Sequence, residues 1–288
     1  EEFIGYDYTD SNVQITRYRE VKEKKNKRYH LVFNYTPFYA ESGGQVGDKG
    51  MLTYEDERIP ILDTKNENGV IIHISDRLPT NLKATFRALV NTEKREAAES
   101  NHSATHLLHH ALRNVLGNHV EQKGSLVDAS HLRFDFSHFA KVSEEELHLI
   151  EREVNEKIRQ NIELNEHRNV PIKKAEDMGA MALFGEKYGE LVRVIQFGDS
   201  VELCGGTHVR NTAKIGRFKI ISESAIASGV RRIEAVTSYE ADKLIDKALN
   251  EYETIRTMLK VKDKIAPVVS GLMDENHRLR KEIEQLTK

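Results

Sequence analysis

Two short motifs constrain this chain more than anything else in it. His102-Ser-Ala-Thr-His106 lies in a helix-like run, and Cys204-Gly-Gly-Thr-His208 lies in a glycine-bearing turn. Residues four apart on a helix share a face, so both imidazoles of the first motif can reach one ion. A tight Gly-Gly turn can bring the sulfur and imidazole of the second together, and zinc favours that soft donor. Together they predict a zinc ion held by His102, His106, Cys204 and His208, joining two distant segments. Among 13 histidines a lone HxxxH pair carries little weight, and the CxxxH pair raises it. His110 also follows His106 at four residues, but it falls roughly 12 Å from His102 along a helix axis. The tandem His109-His110 therefore reads as surface or outer support. The spacing leaves open a closed structural site or a catalytic one with a free position.

The rest of the composition sets limits. The chain has 288 residues, 39% hydrophobic and 31% charged, which fits a soluble globular protein of about two domains plus a helical piece. No apolar run is long enough to span a membrane and no signal peptide opens the sequence. Cys204 is the only cysteine, which excludes an internal disulfide and fits a reducing cytoplasm. A net charge of −3 gives no global pull toward nucleic acid, so an RNA surface would be a local basic patch. The first residue is Glu1 rather than Met, which suggests a piece of a longer protein.

An α+β fold in three parts is expected. Residues 1–90 carry short alternating runs such as Leu31, Phe33 and Tyr35, separated by turn formers at Gly43-Gly44 and Asn68-Gly69. They read as a small N-terminal β-barrel. Residues 91–237 read as an α+β zinc-containing domain. Its first helix starts near Thr92 as cap and stops at Gly117. Ser143-Glu-Glu-Glu146 is a capping box for a second helix. Strands follow at Leu132 to Phe136, Leu191 to Phe197, Arg217 to Ser222 and Val230 to Val236. Residues 238–288 read as a helical hairpin or coiled-coil segment, with Pro267 as the interruption and Leu272, Leu279, Ile283 and Leu286 as the seam.

The ordered motifs extend well beyond the ligand pairs. FIGY runs from Phe3 to Tyr6, TPFYAESGGQVGD from Thr36 to Asp48, SNHSATHLLHHALR from Ser100 to Arg113 and QKGSLV from Gln122 to Val127. LRFDFSH, ALFGEKYG, VELCGGTHV and GVRRIEAVT follow. In this series the chain resembles the alanyl-tRNA synthetase family, in the part that follows the catalytic domain, and more loosely the freestanding AlaX-type editing proteins. The resemblance covers nearly the whole chain. It implies hydrolysis of wrongly charged Ser-tRNA(Ala) and Gly-tRNA(Ala), with the acceptor end of tRNA(Ala) as partner. An alanine pocket cannot strongly exclude glycine or a side chain that adds one hydroxyl, so a second site must remove the errors.

The same resemblance implies roles for single residues. Thr105 would sense the serine hydroxyl beside the metal, and Gln122 and Ser125 would face the substrate. Cys204, Thr105 and Gln122 are the expected catalytic positions. Arg133 would bind near the pocket, and the backbone N–H groups of Gly205 and Gly206 would stabilise an oxyanion. Zinc is expected either to activate water or, the favoured reading, to bind the substrate α-amino group and orient the ester while a water attacks its carbonyl. Gly43, Gly44, Gln45, Lys187, Arg231 and Arg232 are expected to meet the tRNA. Gly43-Gly44-Gln45 also matches the tripeptide of peptide-release factors, a match too short to carry an inference. Ordinary readings compete: Thr105 as a helix-interior threonine bonded to its own backbone, Gln122 and Ser125 as an exposed hairpin, the basic residues as a solvated face.

The same residues admit other functional classes. A tRNA-binding module with structural zinc would bind without cleaving and would unfold on metal removal. A freestanding AlaX-type deacylase would act in trans. A zinc peptidase is disfavoured, because HSATH lacks the glutamate beside the first histidine. No region resembles an ATP-dependent activation domain, so this chain is not expected to charge tRNA. The C-terminal helices are expected to provide an oligomer seam or a spacer.

Overall fold

The computed structural model describes residues 2–23, 26–181 and 189–287. The segment ALFGEKYG, all but its last glycine, falls outside them, and Lys187 with it. The chain divides into two compact units, Glu1–Ala241 and Asp242–Lys288. Each is described by itself.

The first unit opens with β1 (Glu2–Phe3), which pairs in parallel with the short β4 (Tyr35–Thr36). Around them lie β2 (Asp10–Glu23), β3 (Asn26–Phe33), β5 (Gly50–Tyr54), β6 (Glu57–Ile61), β7 (Asp63–Glu67), β8 (Val70–Ser75) and β9 (Thr85–Val90). These form one seven-stranded sheet in the order β6-β5-β9-β2-β3-β8-β7. Alternation along each strand turns Val13, Leu31, Phe33, Leu52, Ile59, Ile61, Phe86 and Ala88 into one buried cluster. The expected barrel is not closed. Its two edges, β6 and β7, are successive stretches of one segment joined at Leu62, whose N–H donates to Ile74 O at 2.8 Å. The chain passes from one edge to the other there, and no ladder joins the two edge strands.

α1 (Thr92–Leu116) follows directly. Its cap is Asn91 rather than Thr92: the Asn91 side chain accepts from Lys94 N, the stronger of two neighbouring caps. Gly117 ends it, as the sequence led one to expect. α1 packs with α2 (Glu144–Arg159), which starts on the full Ser143/Glu146 capping box. Both cover a four-stranded antiparallel sheet of β10 (Gln122–Val127), β11 (Leu132–Ser137), β15 (Phe218–Ala227) and β16 (Val230–Thr237), in the order β10-β11-β16-β15. Leu107, Leu108, Ala111 and Leu112 of α1 meet Phe134, Phe136 and Ile233 in the main core. A three-stranded sheet of β12 (Asn165–Pro171), β13 (Leu191–Phe197) and β14 (Ser200–Leu203), with α3 (Ile172–Asp177) between β12 and β13, delivers the second ligand motif just beyond β14.

α4 (Ser238–Met258) and α5 (Ile265–Leu286) are two helices joined by residues 259–264. The interruption is that linker and not Pro267, which lies in the first turn of α5, where a missing N–H costs nothing. The hairpin or coiled coil anticipated here is not packed. α5 buries none of its residues, and Leu272, Leu279, Ile283 and Leu286 are exposed. Among the described residues no helix is long and apolar enough to cross a membrane.

Candidate metal centre

The two motifs converge. One ligand atom from each of His102, His106, Cys204 and His208 lies within 4.8 Å of all the others, and all four residues are buried. α1 supplies the two histidines one turn apart. The turn after β14 supplies Cys204 and His208, whose Nε2 lies 3.3 Å from Sγ. His102 Nε2 lies 3.4 Å from the same sulfur.

The outer nitrogens of two ligands are held from outside the cluster. His102 Nδ1 meets Gln45 Oε1 at 2.7 Å, and His208 Nδ1 meets Ser103 Oγ at 3.1 Å. With Nδ1 protonated and donating, Nε2 is left as a free donor pair aimed inward. Burial holds both imidazoles well below the usual histidine range, and neighbouring histidine and Arg193 charge adds to it. Neutral rings are the form that binds metal. His106 differs. It is 2% exposed, and among the described residues neither of its ring nitrogens has a hydrogen-bond partner. Its Nε2 lies 3.4 Å from Glu202 Oε2. A buried imidazole without partners is costly, and an ion at the centre of the four would satisfy it. The quartet is therefore a group that can hold a metal ion, and its donor types suit the borderline-soft ions.

The turn that presents Cys204 and His208 is tied down carbonyl by carbonyl. Arg193 Nη1 donates to Cys204 O at 3.0 Å and to Gly206 O at 2.6 Å. Tyr6 OH donates to Gly205 O at 2.6 Å. Arg193 also stacks over the Tyr6 ring at 3.9 Å and donates from Nε to Glu166. Gly206 leaves no room for a side chain: a Cβ there would stand 2.0 Å from His102 Cε1. Its N–H donates to Cys204 Sγ at 3.3 Å, a bond that favours the thiolate.

The remaining sequence candidates fall into separate places. Gln45 is 1% exposed, and its amide is engaged inside the molecule. Oε1 accepts from His102 and from Thr207 N at 3.0 Å, while Nε2 donates to Thr207 Oγ1 at 2.9 Å. Gly43 and Gly44 form the turn before it, at φ 55° and 83°. A Cβ on Gly44 would meet Ser125 O at 2.7 Å, so this loop lies on β10. Thr105 is buried, and its hydroxyl donates to Asn101 O at 2.8 Å within α1.

Register places Gln122 opposite Phe136 and Ser125 opposite Phe134, on the sheet face that meets α1. Arg133 is opposite Leu126 and Glu234, on the other face, away from Ser125. Arg231 donates to Glu223 and Arg232 to Asp135.

Several residues of the site were not anticipated. Glu202 is buried, and its Oε1 accepts from His109 Nδ1 at 2.9 Å. Burial raises its carboxyl, but His106 and His109 outweigh that and the net shift is downward. Glu202 stands two residues before Cys204, a same-face spacing that could have marked it. Arg193, Tyr6 and Ser103 left no local signal. Of the tandem histidines, His109 is buried against Glu202, and His110 is half-buried near Glu153 at 3.6 Å.

Comparison with known proteins decides the lineage. Residues 192–234, which include the Cys204–His208 turn, match the family described as threonyl and alanyl tRNA synthetase second additional domain. Residues 1–95 match class II (A) tRNA synthetases. Over 287 residues the chain is 54% identical to an alanine–tRNA ligase of Bacteroides fragilis, covering 100% of this chain and 33% of that protein. The chain belongs to the alanine–tRNA ligase family. An alanine–tRNA ligase of Cytophaga hutchinsonii is 54% identical over 99% of the chain, and one of Porphyromonas gingivalis is 50% identical over 99%. The chain spans about a third of the length of these ligases.

Proposed function

We propose that this chain is the editing part of an alanine–tRNA ligase and hydrolyses the ester of Ser-tRNA(Ala) and Gly-tRNA(Ala). The observation that carries the reading is the buried His3Cys quartet, in which neither ring nitrogen of His106 has a hydrogen-bond partner among the described residues. Family membership supports aminoacyl-tRNA as the substrate class. Zinc is the ion assigned to His102, His106, Cys204 and His208, and when bound it would supply a positive centre that orients the aminoacyl group.

The chain's own residues do the rest. Thr105 has committed its proton to Asn101 O, so its oxygen can only accept. A serine hydroxyl can donate to it; an alanine methyl would leave it unpaired, and that asymmetry rejects the correct product. Glycine leaves space for a water at the same oxygen. Gln122 and Ser125 hold the terminal nucleotide from β10, while Arg133, on the opposite face of the sheet, can act only on RNA that runs past that face. Water attacks the ester carbonyl, the C–O bond to the ribose breaks, and the amino acid and the ribose hydroxyl leave. Of the turn glycines, Gly206 N–H is directed at the sulfur, so Gly205 is the better placed to offer its N–H to the developing oxyanion. Gly43, Gly44, Lys187, Arg231 and Arg232 belong to the tRNA surface, residues 1–90, 91–237 and 238–288 are the working divisions, and the setting is cytoplasmic.

The test is deacylation of Ser-tRNA(Ala) beside Ala-tRNA(Ala), with the parent and Cys204→Ala. Fast loss of serine, sparing of alanine and an inactive but folded variant support the reading. Hydrolysis no faster than the uncatalysed rate, despite bound tRNA and full zinc, overturns it. A second reading is favoured by the closed four-ligand set: a structural zinc in a tRNA-binding module. It requires chelation to unfold the domain.

A further inference from the structure

A chain of neighbouring rings, tilted at two of its steps and stacked at three, runs from the core beside the ligand quartet to the surface. His109, which donates to Glu202, stands 5.3 Å from Phe134 between ring centres. Phe134 and Phe136 follow at 6.1 Å and 21°. Phe136 leads to His138 at 6.4 Å, and His138 stacks on His119 at 5.2 Å and 24°. His119 stacks on Phe139 at 5.8 Å and 22°. Phe134 and Phe136 are fully buried, whereas Phe139 is 88% exposed and is the one exposed phenylalanine among the described residues.

The exposed end is built rigidly. His119 and His138 are linked at 2.9 Å between Nε2 and Nδ1. Ser137 Oγ donates to His119 O, and His138 N donates to Gly229 O in the turn between β15 and β16. Arg113 donates to Asn118 O and Val120 O on the other side. Phe139 therefore stands beside a fixed imidazole and leaves most of its ring open to solvent.

We propose that Phe139 is a stacking platform for an unpaired nucleobase of the bound RNA. This rests on reading the chain as one that engages tRNA. A protein partner would call for an apolar patch or pocket. Here the neighbours are two histidines and the exposed Lys141, so the feature is one flat π-surface in polar surroundings. Single-stranded RNA is held by base stacking on such rings, whichever base is presented. The platform also adjoins the GVRR segment: Phe136 pairs in register with Arg231, and Ser137 with Val230.

The chain contains no tryptophan, so Phe139→Trp adds a single reporter at an exposed position. Its emission is followed as uncharged tRNA(Ala) is added, beside an acceptor duplex lacking the single-stranded 3′ end. Quenching by the intact tRNA and not by the blunt duplex is expected, and Phe139→Ala should bind tRNA roughly tenfold more weakly. Unchanged emission at tRNA levels that saturate filter retention overturns the proposal, as does equal affinity in Phe139→Ala. Equal quenching by the blunt duplex also overturns it, because the contact would then be with paired RNA. Quenching in Phe139→Trp together with a parent that cannot hydrolyse Ser-tRNA(Ala) would sink the hydrolase reading and leave the platform standing. Hydrolysis without quenching would do the reverse, and failure of the parent to retain tRNA sinks both.

Discussion

Gln45 accepts the Nδ1 proton of His102 at 2.7 Å, across 57 residues of sequence and from a loop of the seven-stranded sheet. The same carbonyl accepts Thr207 N, so one side chain from the first part of the chain orients both ligand segments. Gln45→Leu leaves two buried donors unpaired. Metal affinity should fall by about 10–100-fold, the usual effect of losing an outer partner of a ligating histidine. Competition against a chromophoric chelator measures it. Affinity equal to that of the parent would show that His102 is oriented by packing alone.

Gly206→Ala tests the close approach at the turn. The new methyl must displace the His102 ring or the turn itself, because no side chain fits at 2.0 Å. The expected outcome is less than one metal per chain by elemental analysis. Gly205→Ala is the control, since its Cβ would meet only Tyr6 OH, at 4.0 Å. It should keep its metal.

Arg193→Ala and Arg193→Lys should behave alike. The guanidinium donates to Cys204 O, Gly206 O and Glu166 at once, and a single ammonium cannot reproduce that fork. Removing one partner of a half-buried charge network costs about 3–5 kcal/mol in buried examples. The guanidinium is 11% exposed, so the lower end of that range is expected. Urea melts at neutral pH give the value. A lysine variant as stable as the parent would reduce the arginine to a simple point charge.

Acid should weaken the N-terminal sheet through His73. Burial lowers its pKa from 6.5 to about 3, and the donated bond to Leu31 O only partly opposes this. The unfolded chain therefore binds this proton more readily than the folded one below pH 6.5. Its contribution is fully present above pH 6.5 and is lost as pH falls toward 3, on the order of 5 kcal/mol at most. His73→Gln should flatten that part of the stability profile in urea titrations. An unchanged slope would assign the acid sensitivity to carboxylates elsewhere.

Much of the architecture could be read from local pattern. The i, i+4 spacings anticipated that four candidate ligand side chains would meet, because each pair needs only a helix turn or a tight glycine turn. Gly117, the Ser143/Glu146 box and the alternation of Leu132, Phe134 and Phe136 marked their elements for the same reason. What escaped was long-range. Nothing near Gln45 reveals that it reaches His102, and Arg193 looks like any surface arginine until the chain folds Tyr6 beneath it. Closure of the first sheet failed as an expectation because it depends on how one segment bends at Leu62, which strand periodicity does not encode. The helical seam near Leu272 showed a real heptad-like pattern, yet periodicity gives a face and not a partner.

All three carbonyls of the Cys204–Gly206 turn are held by Arg193 and Tyr6. The backbone there has already lost its freedom during folding, so an arriving ion would meet a preorganised cradle and order little besides the ring of His106. Uptake of metal should therefore be limited by entry into a buried site and not by assembly of it.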